Sequence, residues 1–121
     1  MLPAESRMRR SQEFGHAVRR GDRAGRPILV AHLKVEDEDR PPRVGFIVSR
    51  AVGPAVTRNR VRRRLRHVVR DRLHRLPRGS LLVVRANPQA ASARSERLAA
   101  EFDIALERLL RRQAPKDRES S

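Results

Sequence analysis

Between residues 50 and 78 the chain carries eleven arginines and a single acid, Asp71. That stretch holds most of the formal net charge of +15 for the 121-residue chain. A block of one sign either stays unfolded or gives one side to packing and the other to a binding partner. Its apolar residues decide between the two. Val61, Leu65, Val68, Val69, Leu73 and Leu76 recur at helical offsets, and at 100° per residue they fit an arc of about 140°. Arg60, Arg63, Arg64, His67 and Arg70 lie outside this arc. Arg62 and Arg72 lie inside it and are expected to snorkel past the apolar side chains. The spacing predicts an amphipathic helix over 58–76, capped by Thr57 or Asn59 and stopped by Pro77 and Gly79. A folded helix that displays arginine on one side calls for a polyanionic partner.

The remainder can supply the core such a helix needs. Leu, Ile, Val and Phe make up about a quarter of the chain, above the level at which disorder is the default. Cys, Trp and Tyr are absent and Phe occurs 3 times, so the core is aliphatic. The lack of cysteine excludes a disulfide scaffold, a cysteine zinc site and a thiol nucleophile. Ser11 can cap a short helix with Phe14, Ala17 and Val18, ended by Gly21. Residues 21–27 read as a basic loop. Residues 28–35 and 43–49 read as strands joined through an acidic turn at 36–42 into a hairpin, with Val44, Phe46 and Val48 on one face. Residues 80–86 read as a third strand. Residues 95–112 read as a last helix with Leu98, Phe102, Leu106, Leu109 and Leu110 on one side. The order is α-β-β-α-β-α. Strand, arginine helix and strand form a βαβ unit, so the sheet is mixed and the class is α+β, a two-layer α/β sandwich. Residues 1–112 read as a single RNA-binding domain and 113–121 as a flexible tail. No apolar run reaches signal-peptide or membrane-span length, and a soluble cytoplasmic protein is expected.

No independent active site is visible. A nuclease needs a general base and acid, or convergent carboxylates for metal. Glu36, Asp37, Glu38 and Asp39 are consecutive residues of one turn and read as a solvated loop. His67 and His74, seven apart on the arginine helix, lack a fitting carboxylate and read as RNA contacts or plain surface. Gly21 and Gly25 are not followed by the Gly-Lys-Ser/Thr of a phosphate loop. No catalytic or metal-binding residue and no cofactor is therefore assigned to this chain. What it can do is bind anions, since each helical arginine can neutralise a phosphate, often as a bidentate pair. Free polyvalent anions are expected to bind the same face. Phe14 and Phe46 are the aromatic side chains outside the last helix that could stack on a base, and each competes with a core role.

The segment Arg58-Asn59-Arg60-Val61-Arg62-Arg63-Arg64-Leu65-Arg66 resembles the Arg-Asn-Arg signature of the bacterial ribonuclease P protein component. Arg43-Val44-Gly45-Phe46-Ile47-Val48-Ser49-Arg50 is similar to that family's strand ending in Ser and a basic residue. Arg10-Ser11, Phe14, Val18 and Gly21 resemble its first helix, and Gly79 to Ala86 its last strand. The resemblance covers roughly residues 7–112. It implies a sandwich like ribosomal protein S5 domain 2, with a left-handed crossover through the arginine helix. It implies a subunit of ribonuclease P, an endoribonuclease that removes the 5′ leader of precursor tRNA, with catalysis and Mg2+ at the RNA subunit. Arg58, Asn59, Arg60, Arg63 and Arg66 are implied to bind that RNA. Phe14, Val18, His32, Phe46 and Arg50 are implied to line a cleft for the leader. Val18 and His32 stand where other members often carry aromatics. With an ordinary imidazole pKa of about 6.5, His32 would add positive charge there as pH falls. The alternative is a ribosomal protein of similar fold that binds rRNA.

Overall fold

The structure, a computed structural model, describes residues 7–8 and 11–113. Its helices are α1 (Ser11–Arg20), α2 (Ala55–Arg70) and α3 (Ser95–Gln113). Its strands are β1 (Asp22–Gly25), β2 (Leu29–Val35), β3 (Arg43–Ile47) and β4 (Ser80–Ala86). They form one sheet in the order β1-β2-β4-β3. β1 pairs antiparallel with β2 and β2 antiparallel with β4, while β3 runs parallel to β4. The mixed sheet and the β3-α2-β4 unit agree with the sequence reading.

Two expectations fail. β2 and β3 do not form a hairpin, because β4 lies between them and takes the hydrogen bonds of both. The 21–27 loop contains β1, so the order is α-β-β-β-α-β-α. Only Ala24 of β1 is buried, and the strand owes its existence to pairing along β2. Its outer side is braced by the end of α3: Arg112 donates to the Arg23 carbonyl at 2.6 Å, and Gln113 to Asp22 at 2.6 Å. Gln113 thus belongs to the helix. The rest of the expected tail, 114–121, lies outside the described residues.

Strand alternation gives the sheet two unlike faces. Leu29, Ala31 and Leu33 of β2, Val44 of β3 and Leu82, Val84 and Ala86 of β4 point to one side. There they meet Val61, Leu65, Val68 and Val69 of α2 and Leu98, Phe102, Leu106 and Leu109 of α3. Each such buried Val, Leu or Phe contributes about 1.5–3 kcal/mol of transfer free energy. The opposite face carries a smaller cluster of Met8, Ala17, Leu81 and Val83, with Phe14, Val18 and Ile47 against it. α1 lies across this second face. The ring of Phe14 rests on Gly45, where any Cβ would collide with it.

α2 begins one turn before the predicted start. Its N-cap is Pro54, and no side chain caps it; Thr57 and Asn59 are already inside. It ends at Arg70, well short of 76, and a 3-10 turn (Leu73–Arg75) leads to Leu76, which is buried. His74 therefore leaves the helix that carries His67, and the two do not share a face. Gly79 closes the turn into β4 with φ 83°, a conformation that favours glycine, while its amide donates to the Arg40 carbonyl at 2.9 Å.

Candidate nucleic-acid interface

The eleven arginines of residues 50–78 do not all face solvent. Arg60 donates through Nη2 to the Ala91 carbonyl at 3.0 Å, and one turn on Arg64 donates to the Ala93 carbonyl at 2.9 Å. Both carbonyls belong to the end of the 3-10 turn Pro88–Ser92 and its cap. Cations at that carbonyl-rich end are favourable for the same reason they are at any helix C-terminus. Arg58 turns back to the Gly53 carbonyl at 3.1 Å. Arg72 grips Asp103 of α3 through Nε and Nη2 and donates to the Val68 carbonyl at 2.9 Å. These four side chains fasten α2 to its neighbours. The periodicity placed Arg60 and Arg64 on the outward side, but the segment after β4 folds up against that side.

The arginines left free form a narrower face. Asn59, Arg62, Arg63, Arg66 and His67 line one groove along α2. Their offsets of three and four residues put them side by side on the helix. Arg62 donates to Asn59 Oδ1 at 3.1 Å, which orients that amide. Of the implied RNA contacts, Asn59, Arg63 and Arg66 share this groove, whereas Arg58 and Arg60 are turned to backbone carbonyls. Arg62 and His67 join instead. The signal for Arg62 was its position one turn from both Asn59 and Arg66.

A second groove begins where the first ends. Met8, Phe14, Val44, Gly45, Phe46, Arg62 and Arg66 line it at the edge of β3, together with Arg7. The edge is partly covered, since the Met8 amide donates to the Val44 carbonyl at 2.9 Å. Arg62 and Arg66 belong to both grooves, so cationic surface runs unbroken from α2 to the ring of Phe14.

The implied cleft residues divide accordingly. Phe14 and Val18 sit half-buried on the α1 face. His32 lies on the same face of β2, 6% exposed. Phe46 does not share that face. It alternates with Gly45 and packs against the main core, reaching Phe14 only around the strand edge. Arg50 stands exposed in the 3-10 turn Arg50–Val52, outside both grooves. Burial, followed by the nearby charges of Arg23 and Arg85, pushes the His32 pKa below its ordinary value. Both effects disfavour the charged imidazole in the free protein.

The acidic turn is braced rather than merely solvated. Arg40 binds Glu36 at 2.6 Å and Glu38 at 2.8 Å, Arg78 pairs with Asp39, and His16 reaches Glu36 at 3.1 Å. Among the described residues no group of three or more His, Asp or Glu side chains is arranged to hold a metal ion. No described helix is long and apolar enough to cross a membrane.

Comparison with known proteins agrees with this geometry. The sequence profile of the family described as Ribonuclease P matches residues 2–110. The chain is 58% identical over 118 residues to the ribonuclease P protein component of Streptomyces griseus, covering 91% of this chain and 96% of that protein. It is 52% identical to the one from Thermobifida fusca, covering 92% of this chain and 80% of the other. The fold is similar to the RNase P protein of Staphylococcus aureus, with a TM-score of 0.73 at 20% identity over 84% of this chain and 93% of that one. It is also similar to the RNase P protein from Thermotoga maritima, with a TM-score of 0.71 at 22% identity over 87% and 96%. These matches do not favour the ribosomal alternative. A chain matched almost end to end by the family profile and by relatives above half identity, with the family's mixed sheet and arginine helix, belongs to the ribonuclease P protein component family.

Proposed function

We propose that this chain is an RNA-binding subunit of ribonuclease P that supplies no catalytic group. The α2 groove of Asn59, Arg62, Arg63, Arg66 and His67 binds phosphates of the catalytic RNA subunit. The α1 face, with Phe14, Val18 and His32, receives the 5′ leader of precursor tRNA. Phosphoryl transfer belongs to the RNA subunit and its Mg2+, and the assembly works in the cytoplasm. The observation that carries this reading is the continuity of the two grooves through Arg62 and Arg66. A strand leaving the α2 face meets Phe14 without crossing an acidic surface. Phe14 offers a phenyl ring on that face, and stacking on a single base is worth about 1–3 kcal/mol.

The test is the affinity of the reconstituted holoenzyme for precursor and for mature tRNA. Phe14→Ala is expected to weaken precursor binding by that amount and to leave mature tRNA binding unchanged. Equal losses for both RNAs would remove Phe14 from the leader track and give it a purely structural role over Gly45.

A further inference from the structure

The α1 face holds a feature that aromatic stacking does not use. Across the sheet, one row reads Arg23 on β1, His32 on β2, Val83 on β4 and Gly45 on β3. The next row reads Gly25, Val30, Arg85 and Ile47. Phe14 covers the Gly45 end of the first row, and Val18 packs on the Val83 cluster. His32 lies beyond them, with Arg23 directly opposite on one side and Arg85 diagonal on the other. Neighbours at such positions have Cβ atoms about 5 to 8 Å apart, within reach of long side chains.

This corner is cationic, and its imidazole is enclosed. His32 is 94% buried by complement of its 6% exposure, and its Nδ1 is buried without a hydrogen-bond partner. Among the described residues the guanidinium groups of Arg23 and Arg85 form no ion pair. Among the described residues the nearby carboxylates are engaged elsewhere. β2 adds Lys34 to the same face. α1, packed on that face, brings His16, Arg19, Arg20 and Glu13. Glu13 is held by Arg43 at 2.5 Å. The flanking carboxylates Asp22 and Glu36 are taken by Gln113 and by Arg40 with His16. α3 reaches β2 only from the opposite face. An unpartnered buried polar atom is costly and calls for a partner.

We infer that Arg23, His32 and Arg85 form a phosphate subsite that takes a proton together with a phosphodiester of single-stranded RNA. This rests on the reading of the α1 face as the leader track. The two guanidinium groups bind the phosphate oxygens, and the imidazole completes the site as a third donor. The coupling has a simple origin. In the free protein burial, with the charges of Arg23 and Arg85, disfavours the imidazolium form of His32. A bound phosphodiester reverses the sign of that field and favours imidazolium. By linkage, whatever raises the His32 pKa on binding makes binding tighter as pH falls. A rise of one unit corresponds to about tenfold tighter binding below the free-state pKa than above the bound-state one.

The experiment follows the His32 imidazole resonance through a titration between about pH 5.5 and pH 7.5, with His32→Gln supplying the assignment. The full chain is measured free, with a short single-stranded oligoribonucleotide, and with inorganic pyrophosphate. The expected result is a His32 pKa that rises when the oligonucleotide binds. Binding should strengthen on acidification more in the wild type than in His32→Gln, and Arg23→Gln and Arg85→Gln should each reduce the rise. A His32 pKa that stays put while the Phe14 and Val18 amides shift would overturn the subsite and leave the leader track standing. An oligonucleotide that shifts none of these residues would overturn the leader track, and the subsite with it. A rise produced by pyrophosphate alone would make this a site for free anions and contradict the assignment to RNA.

Discussion

The arginines of α2 are one residue type with two physical roles, and the partner atom decides which. Arg60 and Arg64 donate to carbonyls in the segment after β4. Removing either leaves a carbonyl unpaired in a half-buried place, at a cost of about 1–3 kcal/mol. Arg63 and Arg66 are exposed on the groove, and surface changes away from such contacts stay within about 0.5 kcal/mol. The two pairs should therefore separate in two measurements. Arg63→Gln and Arg66→Gln should each reduce the salt slope of RNA-subunit binding by about 0.9 or somewhat less and leave the thermal midpoint in place. Arg60→Gln and Arg64→Gln should lower the midpoint and leave the slope nearly unchanged. The opposite pattern would make Arg60 and Arg64 RNA ligands.

At the scale of elements, the acidic turn between β2 and β3 acts as a clasp. Its backbone meets Gly79, its carboxylates meet Arg40, Arg78 and His16, and it holds the turn into β4 beside the end of β2. Replacing Glu36, Asp37, Glu38 and Asp39 together by Gln or Asn should cost stability, at about 0.2–1 kcal/mol for each exposed pair. The chemical rate of the holoenzyme should stay within about threefold, or ~0.7 kcal/mol. A rate loss of several orders of magnitude in a folded variant would place catalysis in this turn. The elements differ in how plainly the sequence shows them. α2, α3 and β4 were legible because their apolar spacing is long or dense enough to set a period. β1 was not, because Asp-Arg-Ala-Gly has one apolar residue and becomes a strand only through its neighbour. The false hairpin has the same root. β2 and β3 are close in the chain, but β4, with five consecutive buried residues at its start, competes for both edges. Pairing at that range is invisible to local pattern. In the candidate site, the motif lies on α2, and Asn59, Arg63 and Arg66 of it share one groove. Which arginines turn inward depended on where residues 91 and 93 fold, and no spacing within α2 carries that.

For the whole molecule, the charge works against compactness. A formal +15 on 121 residues destabilises the folded chain by self-repulsion, while domains of this size keep a margin of only about 5–15 kcal/mol. Polyvalent anions that bind the folded arginine face should stabilise it, by about 2.7 kcal/mol at a hundredfold excess over Kd. At matched ionic strength sulfate should therefore raise the thermal midpoint more than chloride does. Sulfate also strengthens apolar burial in general, so the control is a variant with Arg62, Arg63 and Arg66 changed to Gln, which spares the fastening arginines. Equal gains in wild type and variant would leave only the general effect. The same charge distribution underlies the central claim, that this chain binds RNA and leaves the chemistry to it. The most direct measurement is single-turnover cleavage of a precursor tRNA by the protein alone, by the RNA subunit alone at high Mg2+, and by both together. The account predicts no cleavage by the protein alone, cleavage by the RNA subunit, and tighter use of the precursor when both are present. Cleavage at the mature 5′ end by the protein alone would contradict it.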